Sequence, residues 1–184
     1  MISTVIYLIG KFLTLPGAYL KGFFEHVTAR ALSIPSENNP YIRLTDGCGH
    51  MEHDNIYGPW KNFLFTWLPG IFNFVIGLPF FLAGYSGLFL LKIPFADKSQ
   101  LMFVVYCILY YIGFSMLANI FPLWDDAVAL WQSVFSKDSE AKTITKVVLA
   151  IPAALIMAGS LFEKYALNIL VLIGATAACA LLII

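Results

Sequence analysis

Apolar stretches long enough to cross a lipid bilayer constrain this chain more than any motif in it. The hydrocarbon core of a membrane requires about 20 mostly apolar residues in a helix. Five segments approach or exceed that length: residues 2–33, 60–91, 101–121, 144–162 and 165–184. In lipid every backbone N–H and C=O has to find a partner within the protein, so only helices and closed barrels span. Barrel strands would appear as short alternating segments, and the sequence has none, so helices are expected throughout. Composition agrees: the chain is 60% hydrophobic and 12% charged, with a mean hydropathy of +0.81. Soluble domains sit nearer 45–50% apolar and about 25% charged. The expectation is an all-α, polytopic, multi-pass integral membrane protein with about five transmembrane helices, for which the lipid bilayer is the first partner. The N-terminal stretch MISTVIYLIGKF has no basic leader and no small-residue cleavage site, so it reads as a retained helix. The formal net charge is zero and no basic tract occurs, which leaves nucleic acid without an electrostatic footprint. Cys48, Cys107 and Cys179 are far apart and form no CxxC or disulfide framework.

Within such a chain the informative residues are the polar ones in apolar segments. An ionisable side chain inside the bilayer costs at least a few kcal/mol and usually faces a bundle interior or a water-filled cavity. The first segment carries several. Lys21 and Glu25 are four residues apart and share a helical face, and His26 and Arg30 repeat that spacing beside them. One reading is a tilted or interfacial helix with an internal Lys21–Glu25 ion pair and snorkelling side chains. The other is a buried polar site. The third segment ends in LANIFPLWDD, where Pro122 stops the helix and Asp125 and Asp126 follow. Acidic residues there also suit the start of a new helix over 124–135. The second segment opens GPWKNFLFTWLPGIFNF, with Asn62 and Asn73 inside it and Pro69 and Pro79 interrupting it.

The heptad Cys48–Asp54, CGHMEHD, looks like a ligand cluster. His50 and His53 stand one helical turn apart, as two imidazoles sharing a metal would. The plain reading of the same residues is a solvated loop between membrane helices, within the polar connector 34–59.

Three of these features together resemble the membrane-embedded zinc metalloproteases of the site-2 protease type. That family has a three-helix core: HExxH on the first helix, GPxxN opening the second, and NxxP followed by Asp-Gly at the end of the third. Here Gly58-Pro59-Trp60-Lys61-Asn62 matches GPxxN, and Asn119-Ile120-Phe121-Pro122 matches NxxP, followed by Asp125-Asp126. The pieces occur in order over about residues 10–130. HExxH is absent. Counting back from the exit Ala29–Pro35 sets Lys21, Gly22 and Glu25 where the first His, the Glu and the second His belong, and His26 is one position off. The chemistry of that loss is specific. A charged lysine does not ligate zinc, and glycine cannot take a proton from a zinc-bound water.

The resemblance therefore implies a core over residues 1–135, with residues 136–184 as an added C-terminal helical hairpin. Three functional readings follow. In the first, the chain is a pseudoenzyme: Lys21 stands in for the metal between Glu25 and Asp125 or Asp126, and the protein binds other membrane proteins or serves as a subunit of a complex. In the second, it is an atypical metal-dependent peptidase, with Glu25, Lys21, Asp125 and Asp126 as catalytic candidates and zinc held by His26, His50, His53, Glu25 and Asp125. In the third, it is a small transporter or proton-coupled component built on Lys21, Glu25 and the two aspartates.

Overall fold

The computed structural model describes residues 2–35, 53, 56–91, 100–137, 139 and 141–183. Seven α-helices occur among them, and no strand: α1 (Ile2–Leu13), α2 (Leu15–Ala31), α3 (Pro59–Tyr85), α4 (Gln100–Leu117), α5 (Trp124–Phe135), α6 (Thr143–Lys164) and α7 (Leu167–Ile183). The protein is all-α, and three of its helices are long and apolar enough to cross a membrane. These are α3 with a π-helical extension to Leu90, α4, and α6, of 32, 18 and 22 residues. At 1.5 Å per residue even α4 reaches about 27 Å. The apolar parts of α1 and α7 are shorter. Among the described residues three helices therefore meet the length requirement, and two shorter apolar helices accompany them.

The first apolar segment is two helices, not one. Its break is local chemistry: Thr14 leaves helical geometry at φ −116°, ψ 37°, immediately before Leu15-Pro16. Pro16 falls in the first turn of α2, where its missing N–H costs no helical bond. Backbone bonds still step across the joint, from Thr14 N–H to Gly10 O and from Ala18 N–H to Thr14 O. In contrast, α3 runs through both Pro69 and Pro79. A membrane helix tolerates such residues where neighbouring groups take up the freed carbonyls.

Helices α2, α3 and α4 pack together, and glycine sets how closely. Gly70, Gly77 and Gly84 recur every seven residues, which keeps them near one face of α3. A methyl group at Gly84 would run into the backbone of Tyr110, and one at Gly77 would come within 2.6 Å of Met116 Cβ. Gly113 of α4 meets the backbone of Phe81 in return. Small residues at a membrane interface let two backbones approach, and dispersion then replaces the hydrophobic effect as the attraction.

A second layer is built on α5. Ala127, Leu130 and Val134 recur at helical spacing and are fully buried against Phe63 of α3 and Leu149, Ala153 and Ile156 of α6. Helix α6 also touches α1. The C-terminal pair α6–α7 is therefore joined to the rest through both α5 and α1. Its corner lies at Tyr165–Ala166, where Ala166 takes φ +53°, and α6 carries Glu163 and Lys164 inside its last turn.

Candidate functional site

The polar side chains that the apolar helices bury converge where the break between α1 and α2 meets the end of α4. Breaking a helix exposes unpaired backbone groups, and α4 supplies their partners. Gly17 N–H, in the first turn of α2, donates to Ser115 Oγ at 2.6 Å. Asn119 Nδ2 reaches Thr14 Oγ1 at 2.9 Å, Thr14 O at 3.3 Å and its own helix at Ser115 O, 2.8 Å. From α3, Asn73 Nδ2 donates to Gly17 O at 3.1 Å and to Asn119 O at 2.9 Å. Asn73, Asn119 and Ser115 are fully buried. Each satisfies a backbone group that water would otherwise have to reach.

Two lysines enter this network. Lys11, at the end of α1, donates from Nζ to Asn119 Oδ1 at 2.6 Å and pairs with Glu163 Oε1 of α6. Lys21, on α2, donates to the carbonyl of Phe121 and stands 3.3 Å from the same Glu163 oxygen. All three ionised groups are at least 95% buried. One carboxylate oxygen thus ties α1, α2 and α6 together, with the exit of α4 as the fourth wall. Buried charges are tolerable only with partners of this kind, because desolvating an ion costs several kcal/mol.

The residues singled out by sequence are distributed around this cluster. Glu25 is buried one turn beyond Lys21. Tyr7 of α1 lies close enough to Glu163, Lys21, Glu25 and Asp126 to feel each charge. Asp126 meets His53, with Nε2 3.4 Å from Oδ1, and the His53 ring sits edge-on to Phe65 at 4.6 Å between centroids. The polar connector therefore does fold back onto the protein at His53. Asp125 is exposed at the start of α5, and His26 is half-buried beside Arg30. His50 and Cys48 lie outside the described residues.

Zinc requires three or four unprotonated nitrogen, oxygen or sulfur donors in one place. Among the described residues no three His, Cys, Asp or Glu side chains come together as a metal-binding group. Two ammonium groups instead occupy the space facing the end of α4.

Sequence reasoning passed over Lys11 and Glu163, the two ends of a buried ion pair. No local pattern links residues 152 positions apart. The available signal was the rarity itself: each is an ionisable residue adjoining a long apolar run.

A cavity of about 160 Å³ opens beside the cluster, between α1, the start of α5 and the last turn of α6. Ser160 Oγ and Glu163 Oε2, both buried among its lining residues, have no hydrogen-bond partner among the described residues. Lys164 lies at the cavity with its ammonium 5.1 Å from the Trp124 ring centre. Comparison with family models, curated proteins and solved structures yields no match to this chain.

Proposed function

We propose that this chain is a non-catalytic membrane protein of site-2 protease-like design, in which lysine ammonium groups hold together a core that a metal would hold in an active enzyme. The observation that supports this reading is the Lys11–Glu163–Lys21 cluster. Lys21 sits at the position where the resemblance calls for the first zinc-binding histidine, and its ammonium bonds to the carbonyl of Phe121 within the NxxP stretch. A cation that cannot exchange suits a scaffold, whose task is to keep a shape rather than to activate water. Its role is then to bind other membrane proteins, as a subunit of a larger complex. Helix α7 offers a face for this. Gly174 has nothing within 4 Å of where a side chain would begin, and Leu170, Val171, Ile173 and Leu181 are exposed.

Metal analysis tests the proposal. Protein purified in mild detergent and dialysed against zinc is expected to retain no stoichiometric metal. A stoichiometric zinc, lost on Glu25→Ala or Asp126→Ala, would replace this reading with the metal-dependent peptidase.

A further inference from the structure

A larger cavity, of about 380 Å³, lies between the exit of α4, the second half of α6 and the first turns of α7. We infer, independently of the non-catalytic reading, that it seats one acyl chain of a membrane lipid.

Fixed walls bound this space. Helix α7 is pinned to α4 at two heights. Near its start Asn168 Nδ2 donates to the carbonyl of Ala118, and two turns on the Tyr110 hydroxyl donates to Thr176 Oγ1 at 3.3 Å. The pins are eight residues apart, or about 12 Å along the helix. Val171 and Leu172, which stand between them, line the cavity. On the opposite side the Phe121 ring lies on α6 at Gly159, where any side chain would collide with it. The Phe121 carbonyl meanwhile accepts from Lys21, so this wall is held from the cluster side as well.

The lining excludes water as the natural filling. Asn168 is its one polar residue. The Asn168 Nδ2 is spent on Ala118, and its Oδ1 is buried. A buried water makes about two to four hydrogen bonds, and apolar cavities stay dry. At roughly 30 Å³ per molecule the space equals about a dozen waters. Left empty, it would deprive its walls of dispersion contacts. The occupant it calls for is apolar.

Shape and location select the occupant. Leu155, Phe162 and Val171 line the cavity and are also exposed, so it is continuous with the outer apolar surface of α6 and α7. Helix α6 is long and apolar enough to cross a membrane. The surface at the mouth is therefore the one that lipid tails cover. A helix of another protein is too thick to enter: one turn, about 5.4 Å high and about 10–12 Å wide, fills about 420–610 Å³. An acyl chain, a single file of methylenes, is thin enough.

The test uses a phosphatidylcholine with a diazirine midway along one acyl chain. Wild-type protein is reconstituted with this lipid and irradiated, and the adducts are mapped by peptide mass spectrometry. Leu117, which is 9% exposed, and the half-buried Leu172 both line the cavity and are the reporters. Adducts on either are expected. Adducts confined to exposed residues outside it, such as Leu170 and Leu181, overturn the proposal. Ala158→Phe places a ring in the cavity and should cut the reporter adducts about tenfold, equivalent to about 1.4 kcal/mol of lost chain binding. Val147→Phe, on an exposed part of α6 outside the cavity, should leave them unchanged. Reporter adducts that persist in a folded Ala158→Phe protein overturn the proposal, and if that variant fails to fold the wild-type map decides alone. A phosphatidylglycerol with the same labelled chain is expected to give the same map, because the chain is what is bound. Loss of the reporter adducts on that change of headgroup would place recognition outside the cavity and overturn the proposal.

Discussion

Glu163→Ala removes the carboxylate that Lys11 and Lys21 share, and it is the most severe single change the cluster permits. At 3.3 Å and an effective dielectric of about 20, the gross attraction between Lys21 and Glu163 is about 5 kcal/mol. Lys11 pairs with the same oxygen. Desolvation of three ions offsets most of this, so the intact cluster adds little net stability. Breaking it is different, because both ammonium groups, each 4% exposed, would remain buried without their carboxylate. Removing one partner of a buried pair costs about 3–5 kcal/mol. The control is Lys11→Met/Lys21→Met/Glu163→Leu, which removes every charge at similar volume and is expected to recover at least half of that loss. Recovery stays partial because Asn119 Oδ1 and the Phe121 carbonyl lose their donors. Both variants are measured by denaturing-detergent titration of the purified protein, with helix content followed by circular dichroism. A Glu163→Ala variant within about 1 kcal/mol of wild type would refute the argument, since the lysines would then not depend on Glu163.

Two further outcomes follow from the packing. Gly84→Ala is expected to destabilise by about 1–3 kcal/mol, because its methyl meets the Tyr110 backbone, whereas Gly174→Ala meets nothing and is expected to be neutral in the same titration. Asn73→Ala leaves the Gly17 and Asn119 carbonyls without their side-chain donor and is expected to cost about 1–3 kcal/mol; Asn73→Asp, which loses the same donor, should not rescue it.

Long apolar stretches and helix starts were legible from the residues themselves. The segments beginning at residues 60, 101, 144 and 165 match α3, α4, α6 and α7 to within two residues at their starts, and the short stretch 124–135 matches α5. Hydropathy and breaker residues carry that information locally. The break at Thr14 was also written in the sequence, as Leu15-Pro16, but a continuous apolar run concealed it. Within the site, Lys21 and Glu25 were identifiable as costly residues on one face. The partner of Lys21 was not. A lysine in lipid announces a need for a counter-charge, but which acid answers is decided by tertiary packing. Here the answer comes from Glu163, which falls just past the apolar stretch 144–162 and lies buried on α6.

The span between Lys11 and Glu163 also bears on how the chain enters a membrane. At a synthesis rate of about 5–20 residues per second, the 152 residues between them take roughly 8–30 s to emerge. During that interval both lysines exist without the carboxylate that makes their burial tolerable. Helices α1 and α2 therefore have reason to wait at the bilayer surface or inside the insertion machinery. Until Glu163 emerges, burying either lysine leaves an ammonium without its carboxylate, which costs several kcal/mol. Assembly order is in this sense encoded by where the acid stands along the chain, and any interruption of translation before α6 leaves a product marked by two unanswered charges.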